Sequence, residues 1–153
     1  MGIVLDTGSA ESTLDDKGRV NIPKNFRDHF QGELIITMDE YCAMILKPSV
    51  WEHLRKMEEN SDELNHTDRE AIKTMYYNQA ELVELDSVGR ITIPPVIRKY
   101  KKLSRNCIVI RDIDRLQIWD SGVYDAYLEE MGTVAKAAMN KLGSRDIFRA
   151  KQE

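Results

Sequence analysis

Cysteine and histidine are scarce in this chain, with two and three residues respectively among 153. Cys42 and Cys107 each sit in an apolar, strand-like stretch, and His29, His53 and His66 have no spacing to one another or to a cysteine that would build a zinc site. A disulfide scaffold and a structural metal are therefore not expected; the cysteines are expected in the core and the histidines at the surface. No apolar run approaches the roughly 20 residues that a membrane-spanning helix needs. The first residues also lack the basic-then-apolar order of a secretory signal, so the expectation is an intracellular, cytoplasmic protein with no membrane partner. A glycine-rich phosphate loop, a His-Glu-x-x-His pair and a Ser-His-Asp order are missing too, and neither enzymatic activity nor a cofactor is expected. What is there is a composition of 42% hydrophobic and 31% charged residues, which fits a globular protein: one domain, or two very small halves sharing a core.

The formal net charge of −4 disfavours a polyanionic partner only as an average, because phosphate contact depends on where the charge lies. Residues 15–27 carry Lys17, Arg19, Lys24 and Arg27 against Asp15 and Asp16. Residues 86–105 carry Arg90, Arg98, Lys99, Lys101, Lys102 and Arg105 against Asp86 alone. Between them, residues 48–84 hold nine acidic and four basic side chains. The acidity thus belongs to the connecting segment and the basic charge to two separate stretches.

Those two stretches are copies of each other. Asp15-Asp16-Lys17-Gly18-Arg19-Val20-Asn21-Ile22-Pro23-Lys24-Asn25-Phe26-Arg27 aligns without gaps on Asp86-Ser87-Val88-Gly89-Arg90-Ile91-Thr92-Ile93-Pro94-Pro95-Val96-Ile97-Arg98, with six of 13 positions identical. Chance would give about one, so this is an internal duplication. Each copy is followed by an apolar run (Leu34 to Met38; Cys107 to Ile110), a polar turn and a second apolar run (Ala43 to Leu46; Leu116 to Trp119).

In each copy Asp-x-x-Gly supplies turn chemistry: aspartate can hydrogen-bond nearby amides and glycine can take positive φ. The expected result is a tight hairpin with the arginine at its tip. Val20-Asn21-Ile22 and Ile91-Thr92-Ile93 alternate as a short strand. Pro23 and Pro94 stop it, and short helices are expected over about 24–30 and 95–101. Capping-box patterns at Ser49-x-x-Glu52 and Thr67-x-x-Glu70 predict helices over 49–59 and 67–79. Three-to-four spacing from Tyr124 to Leu142 predicts a C-terminal helix over 122–142, stopped by Gly143. Residues 144–153 read as a polar tail.

Leu14-Asp15-Asp16-Lys17-Gly18-Arg19-Val20 with Ile22-Pro23 and Phe26-Arg27, then Val83-Glu84-Leu85-Asp86-Ser87-Val88-Gly89-Arg90-Ile91 with Ile93-Pro94 and Arg98-Lys99-Tyr100, resembles the MraZ family of bacterial transcriptional regulators, as does Ile118-Trp119-Asp120. The resemblance runs from about residue 8 to 140; Ser12-Thr13 departs from it, where the family carries His-Thr. It implies an α+β fold in which two internal repeats form an AbrB-like, double-psi/swapped-hairpin β-barrel with peripheral helices. The implied divisions are 1–52 and 81–124 for the repeats, 53–80 for a connecting helical segment, 125–143 for the C-terminal helix and 144–153 for the tail. It further implies a ring-shaped homo-oligomer, associated with the nucleoid, that binds direct repeats in the promoter of the division and cell-wall operon that includes its own gene. Arg19 and Arg90 would be the principal DNA contacts. Asp15, Gly18, Asp86 and Gly89 would shape the turns, and Lys17 would contact phosphate where its counterpart Val88 cannot. Lys24, Arg27, Arg98 and Lys99 are further candidate phosphate contacts.

Physics supports the same mechanism: arginine can donate two parallel hydrogen bonds to guanine O6 and N7 while lysines fix phosphates. Two rivals stand beside it. An AbrB-type antitoxin or interaction module would share the turn, but two fused halves with long helices fit it less well. Asp6-Thr7-Gly8 resembles an aspartic-protease triplet, yet that chemistry needs two carboxylates sharing a proton, and no second Asp-Thr-Gly occurs.

Overall fold

The apolar runs predicted from the sequence become two long antiparallel hairpins around which the rest is arranged. The computed structural model describes residue 2 and residues 5–143; the expected tail over 144–153 lies outside the described residues. Strands β1 (Gly8–Thr13), β2 (Arg19–Asn21), β3 (Leu34–Met38) and β4 (Ala43–Leu46) are followed by helices α1 (Pro48–Glu59) and α2 (His66–Ile72). Then come β5 (Glu81–Val83), β6 (Arg90–Thr92), helix α3 (Pro95–Tyr100), β7 (Asn106–Arg111), β8 (Arg115–Asp120) and helix α4 (Ser121–Lys141). The chain forms two compact units, Met1–Ser121 and Gly122–Glu153. The second unit is described through α4 and on to Gly143, whose φ is +69°. Among the described residues no helix is long and apolar enough to cross a membrane.

The first unit holds a six-stranded sheet in the order β1-β7-β8-β4-β3-β5 and a separate two-stranded ladder, β2-β6. Every pairing is antiparallel, and the two long hairpins, β3-β4 and β7-β8, meet side by side through β4 and β8. All nine residues of β3 and β4 are buried, so these strands read as continuous apolar runs rather than alternating ones. Thr37, the one buried polar residue among those described, donates its hydroxyl hydrogen to the Tyr76 carbonyl.

The closed barrel implied by the resemblance does not form. β1 and β5 are the outer strands of the sheet and do not pair with each other. After the isolated bridge Leu14↔Val20, β2 leaves β1 and spends its backbone groups on β6. Its Val20 and the β6 residue Ile91 pair directly, and both are fully buried. With Ile22, Ile93, Phe26 and Ile97 they join one core with Ile36, Ile45, Val109, Leu116 and Ile118 from the large sheet. Each such side chain contributes about 1.5–3 kcal/mol by leaving water, and this burial draws the two copies of the repeat onto one core.

Several helix boundaries differ from expectation. Residues 24–30 form only a three-residue 3-10 turn, Lys24–Phe26, and Phe26 and Phe30 are both buried. Helix α1 starts one residue before the expected Ser49, with Pro48 in its first turn and no side-chain cap. The real capping box is at α2, where Asn65 and Asp68 exchange hydrogen bonds with each other's backbone, not at Thr67 and Glu70. Beyond Ile72 the helix widens into one π turn, Lys73–Tyr77. Cys42 and Cys107 are buried free thiols, as expected. Burial pushes the Cys107 thiol up to about 11, and Cys42 further in the same direction. The three histidines are exposed.

Candidate nucleic-acid interface

Each Asp-x-x-Gly-Arg segment folds through interactions that are complete within five residues. In the first, the Asp15 carboxylate accepts hydrogen bonds from the Lys17 and Arg19 amides, both at 2.9 Å, and from Arg19 Nε at 2.7 Å. In the second, Asp86 accepts from the Val88 amide at 3.0 Å and from the Arg90 amide and Nε, both at 2.8 Å. The backbone closes the same way in both: Gly18 N–H donates to Asp15 O and Gly89 N–H to Asp86 O, each at 3.0 Å. The amide of Arg19 holds the Asp15 carboxyl below its ordinary value, joined by its guanidinium and the Lys17 amide; Asp86 is lowered in the same way by Arg90 and Val88.

Gly18 and Gly89 have φ of +80° and +87°, where a side chain is strained. Both are also buried, because an arginine from the opposite copy lies against each. A Cβ on Gly89 would come within 2.0 Å of the Arg27 guanidinium carbon, and one on Gly18 within 2.7 Å of that of Arg98.

The arginines are not at the tips as expected. The tips are Asp16-Lys17 and Ser87-Val88, and Arg19 and Arg90 are the first residues of β2 and β6. The ladder register pairs Arg19 with Thr92 and Asn21 with Arg90. Alternation therefore puts Arg19, Asn21, Arg90 and Thr92 on one face, opposite the buried Val20 and Ile91. As diagonal neighbours, the two arginines start roughly 7–8 Å apart. Each is about one-third exposed. Aspartate occupies each Nε, and among the described residues no protein group bonds either terminal guanidinium nitrogen. The result is a pair of guanidinium forks, each fixed from behind and open in front.

Of the other candidate contacts, Lys17, Lys24 and Lys99 are exposed. Arg27 and Arg98 are half-buried and turned onto the glycines of the opposite turns. Neither this crossing nor the shared ladder of Arg19 and Arg90 was expected from the sequence; the matching Arg27 and Arg98 at the ends of the two repeats were the available signal. Asp6 lies exposed on a bend ahead of β1, and among the described residues no cluster of His, Cys, Asp or Glu could hold a metal.

A duplicated β scaffold that presents two carboxylate-held arginines on one outward face defines the class, an α+β protein of two paired repeats. The chain belongs to the MraZ family: the family model described as MraZ protein matches residues 6–73 and again 76–142. Similar proteins named Transcriptional regulator MraZ include that of Acidithiobacillus ferrooxidans, 32% identical over 134 residues that cover 80% of this chain and 87% of the relative. That of Frankia alni is 35% identical over 127 residues, covering 80% and 85%. That of Shewanella amazonensis is 27% identical over 136 residues, covering 85% and 89%.

Proposed function

We propose that this chain is a sequence-specific DNA-binding transcriptional regulator whose two Asp-x-x-Gly-Arg turns read bases in the major groove. The observation that carries the reading is the state of Arg19 and Arg90: Nε is held by aspartate, and both terminal nitrogens have no protein partner among the described residues. That leaves the planar fork suited to guanine O6 and N7. Two forks starting roughly 7–8 Å apart match about two base-pair steps of ~3.4 Å. The exposed Lys17, Lys24 and Lys99 serve as phosphate contacts, which position the protein without reading sequence. The names of the relatives support regulation of transcription.

Two forks read few bases, and the chain is acidic overall. Adequate affinity then comes from several subunits on repeated sites, where a first contact raises the effective concentration of the next. The proposed assembly is a ring-shaped homo-oligomer of AbrB-like, swapped-hairpin pairs. It acts on direct repeats in the promoter of the division and cell-wall operon, its own gene included, within the cytoplasm and nucleoid.

The test is a gel-shift with DNA from upstream of the chain's own gene across a salt series. Arg19→Ala and Arg90→Ala should each lower discrimination over an unrelated duplex by about 1–3 kcal/mol, with far-ultraviolet circular dichroism unchanged. A double variant that keeps wild-type discrimination would sink the reading.

A further inference from the structure

Arg27 and Arg98 occupy matching positions in the repeat, yet each reaches the other copy's turn. A Cβ on Gly89, the residue immediately before Arg90, would lie 2.0, 2.4 and 2.5 Å from Cζ, Nε and Nη1 of Arg27. A Cβ on Gly18, immediately before Arg19, would lie 2.7, 2.9 and 3.0 Å from Cζ, Nε and Nη1 of Arg98. Main-chain bonds cross in the same sense: Ile22 N–H donates to Gly89 O at 2.9 Å, and Ile93 N–H donates to Gly18 O at 2.7 Å.

We infer that the two reading turns are cross-braced: Arg27 positions the Asp86–Arg90 turn, and Arg98 positions the Asp15–Arg19 turn. This rests on the DNA-reading function proposed above and adds two positioning residues to it. The brace acts on the peptide from which the reader arginine departs, so it sets the direction in which the fork leaves the ladder. A fork that must meet two acceptor atoms at once tolerates little freedom there, and ordering it before binding spares that cost at the encounter.

The two braces are unequal. Arg27 is anchored on its own strand end, with Nε donating to Ile22 O at 2.7 Å and Nη2 to Asn21 Oδ1 at 3.3 Å. Arg98 Nε is buried and lacks a hydrogen-bond partner. Arg27 therefore links three things in series: the end of β2, the backbone of the opposite turn and, through it, Arg90. Arg98 contributes contact with Gly18 without the same anchor, so the Arg90 fork is the more firmly aimed of the pair.

The experiment is a set of double-mutant cycles on the full chain, binding its own upstream DNA and an unrelated duplex at fixed salt. Arg27→Met should weaken the specific complex about tenfold and leave the unrelated duplex nearly unaffected. In an Arg90→Ala background it should add little; in an Arg19→Ala background its full effect should persist. Arg98→Met should show the mirror pattern, with a smaller effect. Arg27→Lys keeps the charge without the planar fork and should behave like Arg27→Met. It also serves as the second variant if Arg27→Met does not fold.

Equal losses on both duplexes, additive with Arg90→Ala and accompanied by a shallower salt slope, would make Arg27 a phosphate contact and overturn the brace. Coupling of Arg27 to Arg19 in place of Arg90 would overturn it as well. If Arg19→Ala and Arg90→Ala both bind like wild type, the DNA reading fails by itself. The brace is then decided by amide hydrogen exchange without DNA. Arg27→Lys should speed exchange at Val88 and Arg90 and leave Lys17 and Arg19 unchanged; no change at Val88 and Arg90 would overturn it.

Discussion

The two Asp-x-x-Gly-Arg turns are alike in their hydrogen bonds and different in what surrounds them. Both aspartates hold the same three donors at distances that agree within 0.1 Å. Yet the first turn has Lys17 at its tip and the second has Val88, which is 55% exposed. The first is followed by a three-residue 3-10 turn, the second by the six-residue helix α3 with Arg98 and Lys99 in its last turn. The arginine lying against Gly89 is anchored at both Nε and Nη2, whereas the one against Gly18 leaves Nε unpaired. Duplication has thus kept the part of the turn that fixes the arginine, while the tip and the packing behind it have diverged.

The largest expected difference between the turns is in their response to a methyl group. Gly18→Ala should destabilise the protein by about 1–2 kcal/mol, the cost of forcing a side chain into left-handed backbone. Gly89→Ala incurs the same strain; each variant must also displace the arginine packed on its glycine, but moving Arg27 in addition breaks its hydrogen bond to Ile22 O, worth about 1 kcal/mol, while Arg98 Nε has none to lose. Thermal unfolding of the two variants should place Gly89→Ala lower. Equal melting temperatures would remove the asymmetry of packing.

A smaller effect separates the tips. Lys17→Ala should weaken binding to upstream and unrelated DNA alike and make the salt slope shallower by about one. Val88→Lys should steepen it by a similar amount. If Lys17→Ala changes sequence preference instead, the first tip reads bases and the division of labour within the turn must be redrawn.

The smallest effect concerns pH, and there the two turns should coincide. Both aspartates are held below their ordinary value of 3.8, chiefly by the amide of their own arginine. A carboxylate lowered on folding adds stability at pH above its unfolded value; that share is lost as pH falls through the lowered folded value. Each turn should therefore be insensitive between pH 7 and about 5 and loosen only below about 4. Acid titrations of Asp15→Asn and Asp86→Asn, followed by circular dichroism, should lose the same part of the acid transition. Different losses would show that the surroundings reach the carboxylates after all.

What was legible in the sequence is whatever is settled between near neighbours. The turn, its positive-φ glycine, the aspartate that closes it and the alternation of Val20-Asn21-Ile22 depend on residues within five positions of one another, so a reading of local chemistry suffices. The apolar runs of β3 and β4 were equally plain, because strands buried on both faces need no periodicity to be seen, whereas in β7 and β8 buried residues alternate with partly exposed ones. The helix starts were misplaced for a related reason. Two capping-box patterns matched in letters, while the true box at Asn65 and Asp68 uses aspartate in place of the expected glutamate.

Tertiary structure alone decided three things: that β2 pairs with β6, that the sheet stays open between β1 and β5, and that Arg27 crosses to Gly89 and Arg98 to Gly18. Their partners lie far apart in the chain, and nothing in the spacing of residues encodes which distant segments meet. The burial of Val20, Ile22, Ile91 and Ile93 on one core brings them together. That burial depends on surface removed from water and is blind to sequence distance. The sequence by itself thus determined two turns able to fix an arginine each; packing determined that the two arginines share one face and that each copy supports the other.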